Sequence, residues 1–178
     1  VNLASAYRAA GRFDLALPLF EATLESLRSK LGVNHPATQN CLLGLGMTYH
    51  DCQQPGKALP LMEETYRLRT KKLGASHTST LSSLHNLASV YEDLGKVELA
   101  LQLRKDTLAA VRDKLGPDHP NTLACLQGLG HGYQSTGKLD LAIPIFEESV
   151  ALAKDKFGLD HPDTLRGMDA LGAAYQDF

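Results

Sequence analysis

Cysteine is scarce in this chain, and its few thiols form no pattern. Cys41, Cys52 and Cys125 are an odd set of three in 178 residues. Without CxxC spacing they exclude a disulfide framework and a zinc site, and they fit a reducing, cytoplasmic setting. An excess of charge of one sign is also lacking. The 18 basic and 20 acidic residues leave a formal net charge of -2, so the basic footprint of a nucleic-acid binder is missing. No apolar run exceeds a few residues, so no membrane-spanning segment is expected. There is no signal peptide or lipidation motif at the ends. GxSxG, HExxH, P-loop and GxGxxG motifs are absent. No catalytic residue, cofactor or metal site is expected, and the chain is read as a non-enzyme. An initiator Met is missing too, and residue 1 falls inside a repeat. The chain is therefore expected to be a piece of a longer protein.

What is present is a repeat. Leu31-Gly32-Val33-Asn34-His35-Pro36-Ala37-Thr38 returns as Leu73-Gly74-Ala75-Ser76-His77-Thr78-Ser79-Thr80, then as Leu115-Gly116-Pro117-Asp118-His119-Pro120-Asn121-Thr122, and finally as Phe157-Gly158-Leu159-Asp160-His161-Pro162-Asp163-Thr164, each 42 residues after the last. Tyr7, Tyr49, Tyr91, Tyr133 and Tyr175 keep this period, as do Ala16, Ala58, Ala100 and Ala142. Copies are assigned to 35–73, 77–115 and 119–157, with partial copies at 1–31 and 161–178, as one array.

Each copy reads as two helices. In the third full copy, Asp118 is the expected N-cap, and Asn34, Ser76 and Asp160 are capping types at the same place. Leu123, Leu126, Leu129, Gly130 and Tyr133 follow at helical spacing, and Gly137 ends the segment. Leu139, Ala142, Ile143, Ile145, Phe146 and Val150 mark the second helix, which stops at Gly158. Pro18, Pro60 and Pro144 stand early in second helices, where a missing N–H costs little if the helix starts about four residues before. The second copy has Gln53-Gln54 in place of the Gly-basic turn of the others, and the turn is expected to re-form. First helices are predicted near 1–10, 35–52, 77–94, 119–136 and 161–177, and second helices near 14–31, 56–73, 98–115 and 140–157. The fold class is all-α: nine helices in stacked antiparallel pairs forming a right-handed superhelical solenoid, because one pair alone cannot bury both of its apolar faces.

The recurring His35, His77, His119 and His161 do not make a metal site. Equivalent positions in stacked repeats are roughly 10 Å or more apart, too far for one ion at about 2 Å from each ligand. They are read as part of the helix-start motif.

Leu45-Gly46-x-x-Tyr49, Ala58 and the bulky residues Phe20, Met62 and Phe146 resemble the tetratricopeptide repeat. Its usual period is about 34 residues. The longer period with LGxxHPxT resembles the kinesin-light-chain-like subclass. This resemblance implies a protein-interaction scaffold that holds a peptide or protein segment in a concave groove lined by first helices. Two other roles are also carried by such arrays: self-assembly through solenoid ends, and a regulatory repeat region of a larger signalling enzyme such as a bacterial serine/threonine kinase.

With Leu42, Leu45, Gly46 and Tyr49 turned inward, the opposite arc of each first helix gives the candidate partner-binding residues. These are Asn2 and Arg8 in the first copy, and Asn40, Leu43, Met47, His50 and Asp51 in the second. The third copy offers His85, Asn86, Ser89, Glu92 and Asp93. The fourth offers Gln127, His131 and Gln134, and the last Arg166 and Asp169, with Ala170 in the same arc. Amides can pair with a peptide backbone. Chaperone-binding members of the family use a basic carboxylate clamp; Asn86 matches one of its positions, but Ala124 and Gly128 stand where its basic residues belong. Arg8 and Arg166 face Asp51, Glu92, Asp93, Asp169 and Asp177, which points to a neutral or basic partner. Weak end-to-end self-association is also expected, through Leu165, Met168 and Leu171.

Overall fold

The computed structural model describes residues 1–177, and among these there are nine α-helices and no strand. The first helices are α1 (Asn2–Ala9), α3 (Pro36–Asp51), α5 (Thr78–Asp93), α7 (Pro120–Gln134) and α9 (Pro162–Asp177). The second helices are α2 (Phe13–Leu31), α4 (Pro55–Leu73), α6 (Val97–Leu115) and α8 (Leu139–Phe157). The 3.6-residue apolar periodicity thus places the elements correctly, with small shifts at their ends.

Two compact units are formed. The first comprises Val1–Gly74 and Ser82–Lys96; its core joins Ala4, Ala16, Phe20, Leu24, Cys41, Leu42, Leu45 and Leu68. The second comprises Ala75–Leu81 and the chain from Val97 onward. Its core joins Leu101, Leu129, Tyr133, Ala142, Phe146 and Ala174, beside a cluster of Leu123, Leu126 and Ala153. Ala16, Ala58, Ala100 and Ala142 are all 0% exposed, as their period implies.

The bulky residue of the second helix finds its seat wherever a first helix offers glycine. In the second unit, a Cβ built on Gly130 would lie 2.5 Å from the Phe146 ring. In the first unit the same residue of α2, Phe20, has Ala4 in its own repeat and turns to the next one. There a Cβ on Gly44 would lie 2.6 Å from its ring. Glycine is needed at both sites because the ring occupies the space of a side chain.

The recurring spacing inside LGxxHPxT has a local cause. Gly32, Gly74, Gly116 and Gly158 end the second helices at φ of 77° to 90°, a region L side chains rarely adopt. Six residues later, Thr38, Thr122 and Thr164 donate their hydroxyls to the carbonyls of Gly32, Gly116 and Gly158 at 2.7–2.8 Å. The N-cap differs from the expectation. It is the histidine, one residue beyond Asn34, Ser76, Asp118 and Asp160. His35 and His119 sit in extended backbone, and each Nδ1 accepts the N–H two residues on, at 3.1 Å. His77 and His161 make the same bond. A backbone N–H can only donate, so Nδ1 is the accepting atom in each of these caps. The expected cap Asp118 instead faces Lys156 at 3.0 Å, which holds its carboxyl below the usual carboxylate range.

The prolines lie deeper than expected. Helices α2, α4 and α8 begin five residues before Pro18, Pro60 and Pro144. The carbonyls of Asp14, Gly56 and Asp140 therefore lose their intrahelical donor. All three prolines are exposed, so water can replace it. The turn at Gln53 does re-form. Gln53 takes φ 57° where Gly11, Gly95 and Gly137 take 69–70°. Gln54 N–H bonds the Tyr49 carbonyl as Arg12 N–H bonds that of Tyr7.

Candidate protein-binding face

In the first unit, side chains tie successive first helices together along one face. Arg8 Nε of α1 donates to Asp51 Oδ2 of α3 at 2.7 Å. One step along, His50 Nε2 of α3 meets Asp93 Oδ2 of α5 at 2.5 Å. Met47 lies between, its sulfur 3.8 Å from Arg8 Nη1 and 3.9 Å from Asn86 Nδ2. Both ion-pair geometries span 43 residues, one period plus one. Leu43, Asn86, Ser89 and Glu92 are half-buried, while Asn2, Asn40 and His85 are exposed. The structure therefore gathers the predicted residues of the first three copies on this unit.

In the second unit the same spacing recurs as a neutral–acid pair, Gln134 Nε2 to Asp177 Oδ2 at 2.7 Å. His131 is exposed, with its ring 5.1 Å from that of Phe146. Gln127 is half-buried close to Gly167. Arg166 and Asp169 are exposed, and Arg166 turns back along its own helix to Asp163 and the Pro162 carbonyl. Ala170 departs from the expectation: it is 9% exposed and packs in the core with Ala174 and Leu171. A small residue in that column can sink into the helix contact.

Two arginines, one in each unit, are buried beside first helices, and neither is among the predicted partner-binding residues. Arg69, 5% exposed, donates to Asn40 Oδ1 at 2.7 Å and to Ser83 Oγ at 2.8 Å. Its pKa is lowered by burial. The candidate Asn40 is thus oriented by Arg69 and keeps its amide N–H groups for another partner. Arg104, 6% exposed, lies along α7, 3.2 Å from where a Gly128 Cβ would be and 3.3 Å from one on Gly132. The signal was in the repeat columns: Arg104 stands where other copies carry Phe20, Met62 and Phe146, and Arg69 where they carry Leu27, Val111 and Ala153.

The repeating tyrosines, expected on the inward face, also carry hydroxyl partners that the sequence did not indicate. Tyr49 donates to Glu21, Tyr91 to Glu63 at 2.7 Å, and Tyr175 to Glu147 at 2.6 Å, each 28 residues back. Lys105 replaces glutamate in this column, and its ammonium lies 5.4 Å from the Tyr133 ring centroid. The bond to Glu21, with partial burial, pushes the Tyr49 hydroxyl up to about 12; for Tyr91, burial leads and Glu63 adds, again to about 12. Burial also raises the Cys125 thiol to about 11, and Cys41 in the same direction. These thiols are held protonated, which suits packing rather than nucleophilic chemistry.

No described helix is long and apolar enough to cross a membrane. No curated protein matches the sequence. Among solved structures, the chain is similar to a Podosopora anserina putative kinesin light chain with nearly identical TPR-like repeats. The two share 29% identity and a TM-score of 0.80, over 99% of this chain and 83% of that one. It is also similar to BtubC (BKLC) from P. vanneervenii, at 21% identity and a TM-score of 0.75, over 98% of this chain and 70% of that one. MamA shares the fold at 20% identity and a TM-score of 0.58, over 99% of this chain and 79% of that one. The tetratricopeptide repeat family profile matches residues 1–71 and 79–155. Proteins of that family generally mediate protein–protein interaction and are generally not enzymes. With its 42-residue copies, its helix-start motif and nine helices among the described residues, this chain belongs to the tetratricopeptide repeat family and is of the kinesin-light-chain-like kind.

Proposed function

We propose that the exposed face of the first helices holds an extended segment of a partner protein, and that the preferred segment is neutral to basic. The observation that carries this reading is the strip on the first unit, where Arg8–Asp51, Met47–Asn86 and His50–Asp93 connect three successive first helices. Its side chains are already oriented by each other, so little rotamer entropy remains to be lost on binding. The Arg8 guanidinium and the His50 ring are both turned into carboxylates of the strip, while Asp93 keeps about half of its side-chain surface exposed, at 53%. A lysine or arginine of the partner would find acceptors there, and a carboxylate would find its attractive partners already engaged. Three free thiols support a reducing, cytoplasmic setting for this interaction.

The test is titration of extended peptides sorted by net charge against the chain and two variants. Asn86→Ala should weaken a bound neutral or basic peptide by about 0.5–1.5 kcal/mol, the worth of one hydrogen bond. Lys72→Ala should leave binding unchanged, because Lys72 reaches the Asn34 carbonyl away from the strip. Loss of binding with Lys72→Ala alone, or preference for acidic peptides, would overturn the reading.

A further inference from the structure

Met47 stands apart from the residues that share its place in the repeat. The column reads Ser5, Met47, Ser89, His131 and Ala173, so a thioether is the exception among small and polar side chains. Its half-buried sulfur faces two N–H donors from the neighbouring first helices. Arg8 Nη1 of α1 lies at 3.8 Å and Asn86 Nδ2 of α5 at 3.9 Å. Arg8 holds Asp51 through Nε at 2.7 Å, which leaves Nη1 at the sulfur. A thioether is a weak acceptor and returns little to a guanidinium or an amide. The other two methionines are placed differently. Met62 is 1% exposed and Met168 44%, and neither has a donor at its sulfur among the described residues. Arg8, Met47 and Asn86 all lie within the first unit.

We propose that Met47 is a site of oxidation to methionine sulfoxide, with Arg8 and Asn86 as the donors that hold the new oxygen. The oxidant is hydrogen peroxide. The sulfur lone pair attacks one peroxide oxygen, the O–O bond breaks, and the other oxygen leaves as water after proton transfer. Sulfur loses two electrons and the peroxide gains them. A sulfoxide is polar, and in a packed setting it disrupts its surroundings. At Met47 the oxygen enters space that two donors already face, one of them cationic, and a strong acceptor replaces a weak one. Arg8 serves the oxygen with Nη1 and keeps Asp51 through Nε, because a guanidinium carries five N–H groups. The strip thereby gains bonds across α1, α3 and α5 without giving one up. On the reading of the strip as a partner-binding face, the sulfoxide also occupies the Asn86 amide and lowers the partner's affinity. The oxidation itself does not depend on that reading.

The probe is hydrogen peroxide, applied to the folded chain and followed by peptide-mapping mass spectrometry. Met168→Leu removes the most exposed thioether and leaves Met47 and Met62. In this background one oxygen should add at Met47 and none at Met62. Melting is then measured before and after oxidation, with and without the pair of substitutions Arg8→Ala and Asn86→Ala. The change on oxidation should be more favourable by about 2–4 °C where both donors are present, the shift that one net hydrogen bond gives in a chain of this size. In the chain that keeps both donors, the Asn86 side-chain amide protons should move downfield in the nuclear magnetic resonance spectrum on oxidation. Equal melting shifts with and without the donors would overturn the proposal, as would Asn86 protons that stay in place. A Met47 left unoxidised in the folded chain, at a peroxide dose that oxidises it in urea, would overturn it too.

Discussion

Helices α7 and α9 start from the same motif and carry the same face, yet one is core and the other is surface. Tyr133 is 7% exposed and Tyr175 52%; Leu126 is 1% exposed and Met168 44%. Both helices keep the threonine bond to the preceding glycine and the histidine cap. Helix formation is therefore a local matter in this chain, settled by caps and periodicity. Burial is settled by whether a second helix of the right pattern lies alongside. The identity of a residue at a repeat position fixes what it can pack against, and the neighbouring repeat decides whether it does.

Removing the ring that closes α7 should have the largest effect. Phe146 is fully buried, and Phe146→Ala should cost about 3–5 kcal/mol by denaturant unfolding. A loss below about 1 kcal/mol would mean that the socket collapses easily. The next effect separates the two helices directly. Gly130→Leu should destabilise by about 1–3 kcal/mol, because its Cβ alone would meet the Phe146 ring at 2.5 Å. Gly172→Leu should be neutral, or stabilising by up to about 1 kcal/mol from helix propensity. Equal melting shifts for the two variants would erase the distinction between them.

A smaller effect is expected at the turn where the second copy departs from the others. Gln53 adopts the conformation that glycine holds in three other turns. Gln53→Gly should stabilise by about 0.5–1 kcal/mol, the steric cost of a left-handed non-glycine residue less the added chain entropy. A fall in the melting temperature would show that the Gln53 side chain makes a compensating contact.

The smallest effect is an alkaline one. Tyr49 and Tyr91 have hydroxyls raised to about 12 from an ordinary value of about 10. The neutral phenol is the form the fold favours. Its contribution is complete below pH of about 10 and is lost as the pH rises toward 12. Ultraviolet tyrosinate titration should show these two ionising late. Glu21→Gln should bring Tyr49 down and leave Tyr91 unmoved; a shift of both, or of neither, would break the assignment of Glu21 as the leading cause for Tyr49.

Much of this was legible in the sequence. The 42-residue spacing, the apolar columns and the glycines after each helix determined the number and order of helices, because these signals act within a few residues of the chain. The inward alanines and the re-formed turn at Gln53 were legible for the same reason. The arc of candidate binding residues was legible as an arc, since about 100° per residue fixes which side chains share a helix face. Its internal pairing was not: Arg8 with Asp51, His50 with Asp93 and Arg69 with Asn40 join residues 29 to 43 positions apart.

The choice of N-cap shows where the boundary lies. Asp118 and His119 are both plausible caps by type; the histidine takes the role here as in the other copies, and Lys156, from the last turn of α8, takes the aspartate. In the same way, the column Phe20, Met62, Arg104, Phe146 says that something large stands there, but only packing shows which glycine it fills. Sequence determined the helices, their caps' neighbourhood and their apolar faces. Tertiary structure decided which faces are covered, which charges are spent on each other and which glycines are sockets, because these depend on distances between segments that the local chain does not set.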